Sequence, residues 1–178
     1  GLIKKYHPQA QVIFGGVHVT ALPEEALGRT ECDVVIRGEG EKALLQLVQG
    51  TPLYAIEGLS FCHDGQMIHN QPNGIVEKLD EIPPPAFHKL DLTRYKPAAG
   101  AYKRLPAINM TSTRGCPAHC TFCNSANIPL RRRSAEKIFD EMAVLVNTYK
   151  IREIQFYDDT FTVFPSNIKK LCQRIIDT

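Results

Sequence analysis

The sequence predicts an α/β fold built on open, parallel sheet and laid down in two pieces. Three observations carry this. A strand–turn–helix rhythm runs twice through residues 11–48 and twice again through 107–176. The strand segments are short apolar runs bounded by turn residues, the pattern of buried strands. A proline run at Pro83-Pro84-Pro85 separates the two stretches.

Each element follows from local chemistry. Residues 11–14, Gln-Val-Ile-Phe, form a short apolar strand closed by Gly15-Gly16. Leu22-Pro23-Glu24-Glu25 opens a short helix over 22–28, with proline and acids in its first turn. Asp33-Val34-Val35-Ile36 is a second buried strand, ending in Arg37-Gly38-Glu39-Gly40-Glu41. Ala43, Leu44, Leu47 and Val48 line one face of the helix that follows. Residues 56–62 and 66–69 flank His63-Asp64-Gly65, a hairpin turn. The three prolines after Ile82 fix φ and lack N–H donors, which makes an extended connector. Residues 107–111 read as a strand, and Ser134 caps a helix with Ile138, Met142, Leu145, Val146 and Tyr149 on its apolar face. Residues 153–157 are the next strand, and Pro165-Ser166 starts the last helix. The expected divisions are 1–50, the C-terminal part of one α/β domain; 51–104, a hairpin and Pro-rich linker; and 105–178, the start of a second α/β domain. Both ends fall inside helical patterns, so the chain reads as a piece of something longer.

Composition narrows the classes. Hydrophobic residues make up 43% of the 178, which suits a packed core. A net charge of +2 gives no electrostatic case for nucleic acid or a membrane surface. No apolar run approaches the ~20 residues of a membrane helix, and the N-terminus has no signal-peptide pattern. Arg131-Arg132-Arg133 reads as a solvated face or substrate rim. Of six cysteines, three crowd into eight residues, while Cys32, Cys62 and Cys172 sit among apolar neighbours. Cys172 shares a helix face with Ile168, Leu171, Ile175 and Ile176 and reads as a small core hydrophobe. This usage fits a reducing cytoplasm with one metal site.

The crowded cysteines lie in Arg114-Gly115-Cys116-Pro117-Ala118-His119-Cys120-Thr121-Phe122-Cys123. Three thiolates at C-x3-C-x2-C spacing can wrap one compact metal centre. A [4Fe–4S] cluster usually takes four cysteines, so three leave one iron open, and an open position is where chemistry occurs. A structural zinc site wants a fourth ligand, and chelation by His119 beside Cys120 is strained. A closed four-cysteine cluster needs a fourth cysteine nearby, and disulfides would leave one of the three unpaired.

This pattern, with an aromatic residue before the third cysteine and a strand before the first, resembles the radical S-adenosylmethionine superfamily. The resemblance implies that Cys116, Cys120 and Cys123 hold a [4Fe–4S] cluster whose open iron takes the amino and carboxylate groups of S-adenosylmethionine. Reductive cleavage then releases a 5′-deoxyadenosyl radical. Phe122 falls at the position used near the adenine; core packing is its other reading. Tyr157-Asp158-Asp159-Thr160-Phe161 stands where the best-known form has Gly-Gly-Glu, which binds the methionine amino group. It is similar to the Asp-Asp-x-Phe variant of the branch that also carries a cobalamin-type domain. Asp158, Asp159 and Thr160 are therefore expected at S-adenosylmethionine. A carboxylate at a strand end can accept from an ammonium; which aspartate does so is open, and capping is the alternative for Asp159.

Gly15-Gly16-Val17-His18-Val19-Thr20 and the run from Asp33 to Glu41 together resemble the second half of a cobalamin-binding domain of flavodoxin-like (Rossmann-like) fold. By that resemblance Gly15, Gly16, His18, Thr20, Gly38 and Gly40 line the cobalamin edge, at the C-terminal ends of the strands. His18 reads equally as a cap of the next turn. The family's Asp-x-His-x-x-Gly motif, whose histidine can ligate cobalt, is not in this sequence. Gly38 to Ala43 also matches a dinucleotide fingerprint, but Glu39 and Glu41 would set negative charge against a pyrophosphate.

The expected protein is a radical S-adenosylmethionine enzyme with a [4Fe–4S] cluster, S-adenosylmethionine and cobalamin as cofactors. The segment 105–178 would begin its partial TIM-type barrel. The expected reaction is cobalamin-dependent methyl transfer or cyclisation on a small molecule, with flavodoxin or ferredoxin as electron donor. The competing readings are a non-catalytic iron–sulfur or zinc protein and a nucleotide-binding α/β module.

Overall fold

The computed structural model describes residues 2–29, 31–98 and 100–178. The chain divides into two compact units, residues 1–76 and 77–178.

The first unit runs α1 (Leu2–Tyr6), β1 (Ile13–Phe14), α2 (Val17–Ala21), α3 (Pro23–Arg29), β2 (Val34–Ile36), α4 (Glu41–Val48), β3 (Leu59–His63) and β4 (Gln66–His69). The strands form one sheet in the order β1-β2-β3-β4. β1 and β2 are parallel, with Ile13 opposite Val34. β3 joins β2 antiparallel, Val35 opposite Ser60, and β4 joins β3 with Phe61 opposite Ile68. Side chains on a strand alternate between faces, so β2 serves two cores. Val34 and Ile36 pack with Ala43, Ile56, Leu59 and Phe61. Val35 packs with Val19, Ala26 and Leu27, and Cys32 adds to that cluster. The hairpin read as part of the 51–104 connector is hydrogen-bonded into this sheet. Its two-residue loop places Asp64 at φ 48° and Gly65 at φ 76°, the left-handed pair that matches strand twist.

One element departs from expectation. Where a turn was expected at 15–20, α2 forms. Gly16, at φ 105°, redirects the chain, and its carbonyl accepts the Thr20 N–H at 3.1 Å.

The second unit contains β5 (Ala107–Met110), β6 (Thr113–Arg114), β7 (Arg131–Arg132), α5 (Ala135–Asn147), β8 (Glu153–Phe156) and α6 (Pro165–Ile176). β5 and β8 are parallel, from Ala107 opposite Glu153 to Met110 opposite Phe156. β6 and β7 pair antiparallel. Ser134 Oγ accepts the Lys137 N–H at 3.2 Å, the N-cap bond that starts α5. Met110, Ile138, Leu145, Ile151 and Leu171 form the core with Phe87.

Three sequence readings are corrected here. The arginine run is not a solvated face throughout; of the three only Arg132 is exposed. Arg131 is buried in β7, Arg132 stacks over the Phe164 ring at 4.9 Å, and Arg133 meets the buried Glu141 carboxylate at 2.6 Å. Cys172 is exposed, because α6 buries Asn167 and Leu171 and the next residue turns ~100° away. Asn167 accepts the Ala135 N–H at 3.1 Å and donates to the Arg133 carbonyl at 3.0 Å. Val146, expected on the apolar face of α5, is also exposed, and Glu141 occupies a buried position on that helix.

Candidate functional site

The cysteine loop is the connection from β6 to β7, so an antiparallel pair fixes both of its ends. Gly115 is the residue that lets it close. Its φ is 84°, and a Cβ there would lie 2.4 Å from the Pro129 carbonyl oxygen and 2.6 Å from that of Ile128. The Cys116 N–H donates to the Ile128 carbonyl at 3.2 Å, and a turn follows, with the Cys123 N–H on the Cys120 carbonyl at 3.1 Å. Cys116 is half-buried; Cys120 and Cys123 are exposed. Phe122 is 92% exposed, so core packing is not its role. His119 Nδ1 lies 2.6 Å from Asn127 Oδ1, which commits one of its ring nitrogens within the loop.

The end of β8 meets this loop. Asp158 Oδ1 accepts the Ser112 N–H at 2.7 Å, the Thr113 hydroxyl at 2.8 Å and the Thr113 N–H, while Oδ2 takes the Ser112 hydroxyl at 3.1 Å. Thr160 Oγ1 lies 3.7 Å from Cys116 Sγ. Asp159 is exposed. It does not cap α6, whose N-cap is Phe164 with no side-chain capping bond. Of the three residues read at this strand end, Asp158 and Thr160 are thus turned toward the cysteine loop. Ser112 and Thr113 were missed in the sequence. The signal available was two small hydroxyl residues directly after a strand whose parallel neighbour ends in two aspartates.

In the first unit, parallel pairing brings the loops after β1 and β2 to one edge of the sheet. Thr20 joins them: its hydroxyl donates to the Gly16 carbonyl at 2.8 Å and accepts the Gly38 N–H at 3.0 Å. A Cβ on Gly16 would meet nothing within 4 Å, and one on Gly15 only the Ile36 carbonyl at 4.0 Å, so this backbone is open to a ligand. Gly38 is different. Its φ is 77°, and Asn73 Oδ1 would lie 2.6 Å from its Cβ. Gly40 is the N-cap of α4 at φ −91°. Glu39 Oε2 accepts the Val76 N–H at 2.7 Å, and Asn73 donates to the Glu39 carbonyl. His18 is exposed, with Nε2 3.6 Å from a Glu25 carboxylate oxygen.

Among the described residues, no group of three or more His, Cys, Asp or Glu side chains is gathered to hold a metal ion. The donor chemistry nevertheless suits an iron–sulfur cluster: three soft thiol ligands on one loop, two of them exposed and free to turn. The open backbone at Gly15 and Gly16 likewise suits a large planar cofactor. No helix among the described residues is long and apolar enough to cross a membrane.

Known proteins resemble this chain in sequence and in fold. Residues 1–48 match the B12 binding domain family. An uncharacterized methyltransferase of Pyrococcus horikoshii is 36% identical over 170 residues, covering 91% of this chain and 36% of the relative. An anaerobic magnesium-protoporphyrin IX monomethyl ester cyclase of Synechocystis is 26% identical, covering 95% of this chain and 34% of that one. The fold matches the cobalamin-dependent S-adenosylmethionine radical enzyme OxsB, solved with aqua-cobalamin and S-adenosylmethionine bound. The TM-score is 0.74 at 19% identity, over 99% of this chain and 26% of OxsB. The class defined is an α/β protein with a B12-binding domain ahead of a cysteine loop. In sequence the chain is similar to a methyltransferase and a ring-forming cyclase, and in fold to a cobalamin-dependent S-adenosylmethionine radical enzyme. It spans about a third of the length of the curated relatives it matches.

Proposed function

We propose that this chain is part of a radical S-adenosylmethionine enzyme that uses cobalamin to transfer a methyl group to a small-molecule substrate. The observation that carries the reading is the three-thiol loop, closed at Gly115 and set against Thr160 at the end of β8. Cys116, Cys120 and Cys123 would hold a [4Fe–4S] cluster, which would supply the electron that breaks S-adenosylmethionine into methionine and a 5′-deoxyadenosyl radical. Asp159, exposed and not used as a cap, would accept hydrogen bonds from the methionine ammonium, with Phe122 close to the adenine. The edge at Gly15 and Gly16 would receive cobalamin. A flavodoxin or ferredoxin would deliver electrons. The magnesium-protoporphyrin cyclase relative supports ring closure as the second outcome of the same radical chemistry.

The rival readings have less support. His119 adjoins Cys120 in the sequence, so its joining the three thiols as a fourth zinc ligand would strain the loop. Asn73 stands over Gly38, which leaves a dinucleotide no open phosphate cradle there.

Anaerobic reconstitution of the 178-residue chain should yield about four irons and four sulfides per chain. The loaded chain should release 5′-deoxyadenosine from S-adenosylmethionine under a strong reductant. Cys120→Ala should lose both the brown chromophore and the cleavage; a variant that keeps both sinks the proposal. Chain purified with cobalamin present should show corrin bands, and a colourless chain would remove cobalamin from the reading.

A further inference from the structure

We infer that Asp158 is a positioning residue for the cysteine loop and not a ligand of S-adenosylmethionine. This rests on the proposed cluster at Cys116, Cys120 and Cys123. Both Asp158 oxygens are spent inside the protein, on two backbone N–H groups and two hydroxyls of Ser112 and Thr113. Ser112 is 1% exposed and Thr113 7%, so water does not replace a lost partner. Buried N–H groups need an acceptor, and a carboxylate is a strong one.

The partners give the carboxylate its function. Ser112 follows β5, and Thr113 is the first residue of β6, three positions before Cys116. The β5–β8 pairing brings the end of β8 beside this turn, with the Tyr157 N–H on the Met110 carbonyl at 2.8 Å. Asp158 thus fixes the turn that aims β6, and β6 carries the first cysteine. Two residues further on, Thr160 touches the Cys116 sulfur. One short segment, 158–160, sets both the entry to the loop and the surroundings of its first thiol. The adjacent aspartates divide the work: Asp158 builds the site, and Asp159 is left to face the ligand.

The two roles respond differently to amide substitution. Asp158→Asn keeps an Oδ1 that can accept from the three donors now on it, but loses the charge an ammonium ligand would need. Asp158→Ala removes every bond. Three readouts on the 178-residue chain separate the cases. The first is hydrogen exchange of the Ser112 and Thr113 amides in metal-free protein. The second is the alkylation rate of Cys116, with Cys62 and Cys172 as internal controls. The third is the electron paramagnetic resonance spectrum of the reduced, reconstituted chain with and without S-adenosylmethionine.

Asp158→Ala should speed the exchange and the Cys116 alkylation about tenfold, the change expected for one lost hydrogen bond to a charged group. It should alter the spectrum even without S-adenosylmethionine. Asp158→Asn should restore all three and keep the S-adenosylmethionine-induced spectral change, which Asp159→Asn should lose. If Asp158→Ala does not fold, Thr113→Val removes one of the four bonds and should show the same effects at a few-fold size. Wild-type exchange and alkylation in Asp158→Ala would overturn the inference. So would an Asp158→Asn chain with a normal cluster spectrum and no response to S-adenosylmethionine. Should the wild-type chain take up no cluster, the proposed function falls, while exchange and alkylation still decide the role of Asp158.

Discussion

Asn73 lies against Gly38 so closely that a Cβ on that glycine would sit 2.6 Å from the Asn73 side-chain oxygen. The contact pins the segment after β4 onto the loop after β2, where Asn73 also donates to the Glu39 carbonyl. Gly38 is therefore required by its own chain. Gly38→Ala meets both this overlap and a left-handed φ, and the φ alone costs about 1–2 kcal/mol. Gly40→Ala, at φ −91° with Ile36 Cγ2 3.6 Å from the new Cβ, should change stability little. Thermal unfolding of the two variants should show a clear drop for the first only.

Gly115→Ala places a methyl group against two backbone carbonyls that cannot turn aside. The loop should open at its base, with loss of the Cys116 N–H bond to Ile128. Iron bound per chain after reconstitution should fall well below wild type while far-UV circular dichroism is kept. Full loading would show that the loop does not need this closure.

The Arg133–Glu141 pair is withdrawn from solvent, with side chains 17% and 5% exposed. Removing one member strands the other, at a cost of about 3–5 kcal/mol. Glu141→Ala should therefore be far less stable to urea than the double replacement Arg133→Met with Glu141→Leu, which leaves no buried charge. Equal losses in the two would mean that the pair is not effectively buried.

Burial pushes the Cys32 thiol above its ordinary value, against the lowering effect of backbone contacts at Phe14 and Val34. Less thiolate means slower alkylation. At pH 8, peptide mass spectrometry should find Cys32 modified more slowly than the exposed Cys62 and Cys172.

Asp33 ties α1 to β1. Its carboxylate meets Lys4 Nζ at 2.7 Å and accepts the Val12 N–H at 2.6 Å. Burial pulls this carboxyl upward, but Lys4 and Val12 outweigh it and hold it below its ordinary value. A folded-state value below the unfolded one gives stability that is full above the unfolded value, ~3.9, and fades as pH falls through the lower one. Asp33→Asn should be less stable at neutral pH and should show a shallower loss below pH ~4 in urea titrations.

Parts of this molecule were legible because the signal was local. The apolar run at Val34 to Ile36, the Asp64-Gly65 loop and the Ser134 cap each declare themselves within a few residues. Three cysteines in eight residues likewise mark a candidate ligand set before any fold is known. The short helix α2 was hidden, since five residues after two glycines look like a turn. The β6–β7 pair was hidden too, because strands of two residues have no periodicity to read.

The sequence by itself determined the α/β rhythm, the cysteine spacing and the two acids at the end of β8, all features of neighbours along the chain. Only the tertiary structure decided which acid was spent and which left free. It also buried Arg131, paired Arg133 with Glu141 and put Cys172 in solvent. Those outcomes depend on partners 8 to 46 residues away, as with Arg133 to Glu141 and Asp158 to Ser112. Hydrogen-bond and ion-pair partners of that kind are set by strand pairing and helix packing, which no local pattern records.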